Sequence, residues 1–524
     1  MKILQPKYLS WIYIAFMFPM LAGAQSVTID ATDYKQTIDM MGGDMERSSN
    51  AIQSAKNKEE IVDWAFKDIA FNVCRVQFDK NQELEEGTKN WDFYAKQILS
   101  MKMVKESNPA IRFFATPRTD YDGYGDNNNL PDWFCNYKTK AIDTDKYGIF
   151  LADYVEYMSQ QGLPISYLSI VKEWSSYVTA AVAKEVILKL NSELDARQIE
   201  KPLIIDQGYW SLSQGIKQLA DIATLGSKDL YYAFCTHNYQ KEDETKWSAF
   251  ITASTNLGKA AYDDETGGGY GGPTSGVEPE ITSPLAAYVE KCVMYKSGLK
   301  GEIFFEIWSR GINKETRAIY FPWGGTGAPM RGYYIMKQFA NNILDSRYIT
   351  SSVNSMSDVY TMAFRLDDKV VVWVINNGTI DYSAVPVSIS NDKIAGEVSK
   401  TYWTANSPIT GSSENVSAQT NAFQTDIASQ SLNCFIFNVG TTTSSIDIEK
   451  NDYIVFPTRV KNGKVYLHPD YQSSQPRIFN LNGKMAQNIE VDTNEISVAG
   501  LTPGVYIVQL TMQDKQLSQK IIIE

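Results

Sequence analysis

The sequence predicts an α/β fold: a (β/α)8 TIM barrel with a packed antiparallel β-sandwich side domain and a small C-terminal all-β, Ig-like domain. Three observations predict it. Apolar, β-branched runs alternate with amphipathic helices eight times before about residue 345, which is typical of parallel βα units. Beyond that point hairpin signals replace the helical periodicity. A Thr/Ser-rich segment then precedes a last stretch of strands and turns.

Length and composition exclude several classes of protein. The 524 residues correspond to about two to four domains at roughly 150 residues each. A hydrophobic fraction of 44% and a charged fraction of 21% are ordinary for a globular chain and exclude wholesale disorder. The net charge of −12 argues against a nucleic-acid partner. Only His237 and His468 are present, which excludes a multi-histidine metal site, so carboxylates are expected to carry any acid–base chemistry.

Residues 1–24 are predicted to be a signal peptide. Lys2 and Lys7 precede an apolar run that ends in Ala22-Gly23-Ala24, a small-residue cleavage site. The run is too short to span a bilayer comfortably. We therefore expect cleavage near Ala24, no transmembrane anchoring, and a secreted, periplasmic or cell-surface bacterial protein. The five widely spaced cysteines show no disulfide framework and are expected to be free thiols.

Residues 25–345 are assigned to the barrel. One of its helices is marked by apolar side chains at helical spacing from Tyr147 to Met158, with Asp143 and Thr144 as candidate N-caps. The eight predicted strands lie near Gln36–Gly43, Asn72–Gln77, Ile111–Thr116, Ile165–Val171, Pro202–Asp206, Leu230–Thr236, Ala260–Asp264 and Glu302–Trp308.

The remaining chain is assigned to β structure. Val359–Leu366 and Val370–Ile375 flank an Asp-Asp-Lys turn and predict a hairpin in a sandwich domain of residues 346–440. Residues 441–446 are a predicted linker. Residues 447–524 are a predicted C-terminal β domain with Asn482-Gly483 as a hairpin turn.

Two glutamates follow predicted barrel strands, Glu173 after the fourth and Glu265 after the seventh. A closed parallel barrel carries its chemistry at the C-terminal strand ends, so both carboxylates are expected at one rim. A protonated and an ionised carboxylate on either side of a sugar's anomeric carbon are the equipment of a glycosidase, and a separation of about 5–5.5 Å indicates retention. The alternatives are that each is a solvated loop charge, or that Asp263, Asp264 or Glu306 takes the role.

Three segments carry a resemblance to a known family. Gln36–Gly43 resembles a Q-x-I-x-G-F-G-G start, Ser169–Glu173 an S-x-x-N-E acid/base segment, and Asp264–Gly267 a T-E-x/T-G nucleophile segment. Together, over roughly residues 27–440, the sequence resembles glycoside hydrolase family 30. The resemblance implies that a first strand near residues 27–31 joins the sandwich.

The resemblance also implies roles for residues at the strand ends. Glu173 becomes the general acid/base and Glu265 the nucleophile. Arg75 corresponds to an arginine that keeps the nucleophile ionised, and His237 and Tyr239 to positions that contact nucleophile or substrate. A further set is expected to bind substrate, with core packing or surface charge as the competing interpretation: Trp308, Trp133, Trp174, Tyr270 and Asp44. No cofactor and no metal are expected.

Lys172 departs from the family motif, which has Asn before the acid/base. A cation at this point favours the ionised form of the neighbouring Glu173 carboxylate. A general acid must be protonated, so Lys172 is expected to weaken Glu173 in that role. One hypothesis is that Lys172 binds an anionic substituent of the substrate, such as a uronate or sulfate. The other is that activity is lost, which leaves a catalytically silent glycan-binding protein on the same scaffold.

The C-terminal segment carries a second resemblance. Asn482-Gly483-Lys484 followed by Leu501-Thr502-Pro503-Gly504-Val505-Tyr506 resembles the C-terminal sorting domain of the type IX secretion pathway. It implies the outer-membrane secretion machinery as a partner, whereas the competing interpretation is an ordinary Ig-like accessory module.

Taken together, the sequence predicts a secreted, monomeric retaining glycoside hydrolase that acts on β-linked glycans. An agarase-like barrel hydrolase of another family is a further alternative, because it would use the same two glutamates.

Overall fold

The structure is a computed structural model of the chain. It describes residues 25–46, 48–118, 130–173, 177–206, 208–266, 281–305, 307–309, 317–320 and 323–440, together with parts of 455–524. The contacts divide the chain into two units, residues 1–442 and 443–524.

Eight strands of the described chain form a parallel sheet that curves into a barrel. Their order around the sheet is fifth, fourth, third, second, first, eighth, seventh, sixth. Isolated parallel bridges from Ile205 to Ala233 and from Tyr209 to Thr236 join the fifth strand region to the sixth and close the barrel. The eight strands, first to eighth, are Met40–Asp44, Val73–Phe78, Arg112–Pro117, Ile165–Leu168, Leu203–Ile204, Ala233–Thr236, Ala260–Thr266 and Gly301–Phe304.

The predicted barrel fold is confirmed, and two strand boundaries are corrected. The first barrel strand begins at Met40 rather than Gln36, because Gln36 belongs to the separate strand Ser26–Thr37. The eighth ends at Phe304, and Trp308 lies instead in a short strand that pairs with Ile319–Tyr320.

One layer inside the barrel is entirely apolar. Strand residues alternate between the barrel interior and the surrounding helices, so every second side chain enters this layer. Its buried members are Met40, Val73, Phe114, Tyr167, Ile205, Ala233, Cys235, Tyr262 and Ile303.

Helices between the strands cover the barrel. In the helix Thr144–Gln160 the predicted apolar face is buried, and Asp143 caps the N-terminus by accepting a hydrogen bond from the Lys146 amide at 3.1 Å. The described α-helices are Ser49–Ser54, Lys58–Asp63, Ala95–Ser107, Thr144–Gln160, Ala180–Arg197, Leu212–Thr224, Glu244–Asn256, Thr282–Lys296 and Arg331–Ile343. None in the described part of the chain has the length and apolar character needed to cross a membrane.

A nine-stranded sheet forms the side domain. Its N-terminal strand Ser26–Thr37 runs antiparallel to Arg347–Asn354 and parallel to Tyr382–Ser390. The sheet order is Ser412–Val416, Ile394–Trp403, Ser431–Val439, Lys369–Asn376, Val359–Leu366, Arg347–Asn354, Ser26–Thr37, Tyr382–Ser390 and Ala422–Ile427.

The side domain packs against barrel helices through aromatic rings. Along Lys369–Asn376, Val370, Val372 and Val374 enter the sandwich core, whereas the residues between them turn toward the barrel. Among these, the Trp373 ring lies 5.2 Å from the Tyr288 ring. This alternation makes the sandwich and the barrel one packed body.

The C-terminal unit is strand-rich with its own apolar core. Its longest pair, Gly504–Met512 and Lys515–Ile523, is antiparallel. Buried side chains in this unit include Val465, Ile478 and Val508. His468 lies outside the described residues. All five cysteines are buried as free thiols.

Candidate active site

Charged side chains collect at the C-terminal ends of the barrel strands. Asp44 ends the first strand, Arg75 lies within the second, and Glu265 lies near the end of the seventh. Glu173 follows the fourth strand and His237 follows the sixth directly. The barrel therefore brings these five of the predicted site residues to one rim.

Arg75 is the hub of this cluster. It is completely buried, and its guanidinium donates to the carboxylates of Asp44 and Glu265, and to Glu46 Oε2 at 3.0 Å. It also donates to the Asp264 carbonyl at 2.7 Å and to the Asp264 carboxylate at 3.1 Å. One cation thus meets four acids, a planar, five-donor arrangement that lysine could not reproduce.

Glu265 is surrounded by donors on both carboxylate oxygens. Oε1 accepts from Arg75 and lies 3.5 Å from Lys172 Nζ. Oε2 accepts from the Tyr239 hydroxyl and lies 3.4 Å from His237 Nδ1. Burial opposes ionisation, but the charges of His237, Arg75 and Lys172 outweigh it and hold the pKa of Glu265 well below its usual range. The site therefore keeps this carboxylate ionised.

Lys172 is buried at the rim and pairs with two acids of the protein. The side chain is 1% exposed, and its Nζ donates to Glu46 Oε2 at 2.6 Å in addition to its contact with Glu265. A buried ammonium needs such partners, because an uncompensated charge in the interior is costly. The protein itself supplies the negative charge that the sequence-based hypothesis assigned to a uronate or sulfate.

Glu173 is held in an unusual backbone conformation at the rim. Its φ of 62° lies in the left-handed region, which a non-glycine residue adopts at a cost of about 1–3 kcal/mol. Its amide donates to the Gly208 carbonyl at 3.0 Å, and Oε1 lies 2.7 Å from His237 Nδ1. The side chain is aimed at Glu265, and the facing oxygens of the two carboxylates lie within 4.8 Å.

His237 joins the two glutamates to a third acid. Its ring is buried, and Nε2 lies 3.2 Å from Asp264 Oδ1. Burial disfavours the imidazolium, but the charges of Glu265 and Asp264 outweigh that effect and raise the pKa of His237 well above its ordinary value. Burial likewise opposes ionisation of Asp264, but His237 and then Arg75 lower its pKa.

Gly208 is a site residue that sequence reasoning missed. A Cβ at this position would lie 2.0 Å from His237 Nε2 and 2.8 Å from Asp264 Oδ1. Only glycine leaves room for the two side chains to meet, and its carbonyl also anchors the Glu173 amide. In the sequence, nothing marks Gly208-Tyr209 as part of the site except that the pair follows the fifth strand.

A metal ion is disfavoured at this rim. Glu173, His237 and Glu265 offer ligand-type atoms close together, but Glu265 already faces the positive charges of Arg75 and Lys172. A divalent cation would have to overcome that repulsion within about 4 Å, where like charges interact strongly. The donor set therefore fits acid–base chemistry better than metal binding.

Comparisons with known proteins address the tail and the fold separately. Residues 455–524 match the family described as secretion system C-terminal sorting domain. That match confirms the predicted resemblance of the tail, and such a tail indicates a secreted or cell-surface bacterial protein. No curated protein matches the sequence.

Solved structures match the larger unit. A family 30 subfamily 8 xylanase from Clostridium acetobutylicum has a TM-score of 0.56 at 19% identity, covering 79% of this chain and 99% of that chain. A family 30 xylanase from Talaromyces cellulolyticus has 0.61 at 15%, covering 79% and 100%. An endo-β1,6-glucanase, BT3312, has 0.58 at 14%, covering 79% and 94%.

The larger unit shares its fold with these family 30 xylanase structures. At these identities the likeness defines the architecture, and the chemistry must be argued from the rim itself. The family resemblance inferred from the three motifs is confirmed at the level of the fold.

The predicted aromatic residues divide into three groups. Trp308 is buried among core side chains, 7% exposed. Trp133 donates from its indole to the Glu83 carbonyl at 2.8 Å and packs edge-on against Phe134, which are contacts that hold a loop. Trp174 and Tyr270 lie outside the described residues. The stacking roles of these four rings stay predictions.

Two aromatic side chains do border the carboxylates. The Tyr239 hydroxyl contacts Glu265, and the Trp210 ring centre lies 4.8 Å from that of Tyr239. Tyr209 is fully buried, and its hydroxyl donates to the Asp206 carboxylate.

Among the acids considered as alternatives to Glu173 and Glu265, Asp263 does not share the environment of these two glutamates. Asp263 accepts the Glu265 amide at 3.0 Å, and burial raises its pKa well above the usual range, so it is a poor candidate for an ionised nucleophile. Glu306 lies outside the described residues. Glu302, on the eighth strand, is buried and accepts hydrogen bonds from Lys291 and Tyr295.

Proposed function

We propose that the protein is a secreted retaining glycoside hydrolase that cleaves β-linked glycans by double displacement. One observation carries the proposal: carboxylate oxygens of Glu173 and Glu265 lie within 4.8 Å of each other at the rim of the barrel. Retaining enzymes need about 5–5.5 Å, whereas inverting enzymes need about 6.5–9.5 Å to admit a water. The spacing supports retention.

Glu265 is the proposed nucleophile. In the first half-reaction one of its oxygens bonds to the anomeric carbon while the glycosidic C–O bond breaks and the leaving oxygen takes a proton from Glu173. The depressed pKa of Glu265 supports this role, because the attacking carboxylate must be ionised. Arg75, Lys172 and Tyr239 hold it in a single orientation.

Glu173 is the proposed general acid and base. In the second half-reaction water attacks the anomeric carbon, the ester bond to Glu265 breaks, and Glu173 takes the water's proton. Its side chain is only 6% exposed but lies beside the Glu265 carboxylate. Such a positioned acid–base group contributes about 10²–10⁴-fold to the rate.

A neutral β-glycan is the proposed substrate class. Lys172 pairs with Glu46 and Glu265, so this buried cation of the described rim already has acidic partners in the protein and is not reserved for an acidic sugar. The structural neighbours named above include two xylanases and an endo-β1,6-glucanase, which makes xylan and β-1,6-glucan the first substrates to test.

The test is a glycan panel assayed with the wild-type protein, Glu173→Gln and Glu265→Gln. We expect the wild type to release reducing ends from at least one neutral β-glycan. Glu265→Gln should lose at least about 10⁴-fold in kcat and Glu173→Gln about 10²–10⁴-fold. Reducing-sugar assays with sensitive product chromatography measure all three.

The matched control is Glu193→Gln, a partly exposed glutamate on the helix Ala180–Arg197. Its activity should equal that of the wild type. Absence of turnover on every β-glycan, with glycan binding retained, would overturn the proposal in favour of the catalytically silent binding protein. Full activity of Glu265→Gln would remove Glu265 from the mechanism.

A further inference from the structure

His237 stands between three carboxylates at the floor of the rim. Nδ1 lies 2.7 Å from Glu173 Oε1 and 3.4 Å from Glu265 Oε2, and Nε2 lies 3.2 Å from Asp264 Oδ1. Neither Nε2 nor Asp264 Oδ1 forms a hydrogen bond of good geometry with any described group, so their contact at 3.2 Å is an ion-pair approach. The groups facing the ring, directly or one contact away, are Glu173, Glu265, Asp264, Tyr239, Arg75 and Lys172.

The positions of these acids restrict the protonation state of the ring. A neutral ring protonated on Nδ1 would turn the Nε2 lone pair onto the buried Asp264 carboxylate. A neutral ring protonated on Nε2 would turn the Nδ1 lone pair onto Glu173 and Glu265. That second form is acceptable only if a protonated Glu173 donates a hydrogen bond to Nδ1, which would turn its proton away from the leaving group. The imidazolium alone offers a donor to every facing acid.

We propose that Asp264 is a positioning residue that keeps His237 doubly protonated, so that Nδ1–H is a standing donor shared by Glu173 and Glu265. The catalytic value of this arrangement rests on the function proposed above. When Glu173 has given up its proton to the leaving oxygen, the imidazolium stabilises the resulting carboxylate, which then serves as the base toward water. His237 itself neither gains nor loses a proton in the cycle.

Gly208 and Arg75 are what make this arrangement possible. Glycine allows Asp264 and His237 to meet where any side chain would separate them. Arg75 contacts the other oxygen of Asp264 at 3.1 Å and keeps the carboxylate ionised toward the ring. The elevated pKa of His237, caused chiefly by Glu265 and Asp264 against the opposing effect of burial, agrees with the geometry.

The test is a ¹⁵N NMR titration of the imidazole rings in the full chain. Only two histidines are present, so two sets of ring signals are expected, and His468→Gln assigns them. We expect both ring nitrogens of wild-type His237 to stay protonated from about pH 5 to about pH 8, where an ordinary histidine titrates. In Asp264→Asn the midpoint should fall by about 1–3 pH units, because removing a nearby negative charge destabilises the imidazolium.

Asp263→Asn is the matched control. Asp263 is the adjacent buried acid. Burial raises its pKa and so favours its uncharged form, and its carboxylate accepts the Glu265 amide at 3.0 Å, so its replacement by Asn should shift the His237 midpoint less than Asp264→Asn does. Should Asp264→Asn fail to fold, Asp264→Ser removes the same charge from a smaller side chain.

Two results would overturn the inference: a wild-type His237 that titrates near 6.5, its ordinary value, or an unchanged midpoint in the Asp264 variant. The NMR readout needs no substrate. A charged His237 in a protein without turnover on any glycan would overturn the proposed function and leave this inference standing.

Discussion

The two layers of the barrel interior are built from the same strands and have opposite chemistry. Val73 lies in the apolar layer, and two residues later Arg75 enters the rim; Tyr262 is followed in the same way by Asp264. The apolar layer is packed and uncharged, whereas the rim buries acids and bases against one another. Every second residue of a strand points into the barrel. Two successive inward residues of one strand therefore lie in successive layers, here an apolar layer and then the charged rim at the C-terminal strand ends.

The difference teaches what each layer demands of its residues. In the apolar layer a hydrophobic side chain of similar volume largely preserves packing. At the rim each charge depends on a specific partner, since a buried charge that loses its counter-charge is destabilising. Arg75 with four acids, and Lys172 with two, show this dependence most clearly.

The largest effect is expected from breaking the rim at Arg75. Arg75→Met leaves Asp44, Glu46, Asp264 and Glu265 without their shared cation, and should lower the free energy of unfolding by about 3–5 kcal/mol and abolish turnover. Urea denaturation and glycan assays measure the two effects. Arg112→Met is the control, because Arg112 lies exposed at the start of the third strand over the Tyr167 ring and should cost only about 0.5–1 kcal/mol. Equal costs for the two variants would contradict the dependence of the rim acids on their buried partner Arg75.

An intermediate effect is expected in the pH profile of Lys172→Met. Glu265 must be ionised, and its pKa lies well below the ordinary 4.5 through His237, Arg75 and Lys172 acting against burial. The acid limb of kcat/KM in the wild type should therefore fall below pH 4.5. Loss of the cation raises the nucleophile's pKa, so the limb should move up by about one pH unit.

Lys189→Met serves as the control for that profile. Lys189 pairs at 2.7 Å with Glu193 on a helix surface, so its loss should leave the acid limb in place. If Lys172→Met also leaves the limb unchanged, the ion pair between Lys172 and Glu265 has no part in setting the nucleophile's charge.

The smallest effect is expected in the apolar layer. Ile303→Val removes one methylene from a fully buried side chain and should cost about 0.5–1.5 kcal/mol of unfolding free energy, with kcat unchanged. Thermal denaturation and the glycan assay measure both quantities. A fall in kcat without a matching loss of folded protein would show that the two layers are coupled.

Much of the fold followed from local patterns. Helical spacing from Tyr147 to Met158 and the cap at Asp143 identified a helix that the structure contains almost unchanged. The ends of the strands were harder to predict where the chain passes from one sheet to another. Gln36 continues a strand of the sandwich, and Trp308 pairs with Ile319 after the barrel strand has ended at Phe304.

The candidate site was predictable as a set of strand ends but not as a network of contacts. Position after a strand was enough to place Glu173, His237 and Glu265 at one rim. The partners of the Lys172 side chain could not be predicted in the same way, because a long flexible side chain can reach several acids. Gly208 has no side chain to attract notice, and its role depends on His237 and Asp264, which are distant from it in sequence.

Product stereochemistry tests the central claim most directly. ¹H NMR of the first sugar released from a β-linked glycan, recorded before the anomers equilibrate, identifies which anomer forms first. The proposed double displacement through Glu265 predicts the β anomer, with the α anomer appearing only by later mutarotation. Initial release of the α anomer would contradict the account, because net inversion leaves no place for a glycosyl bond to Glu265.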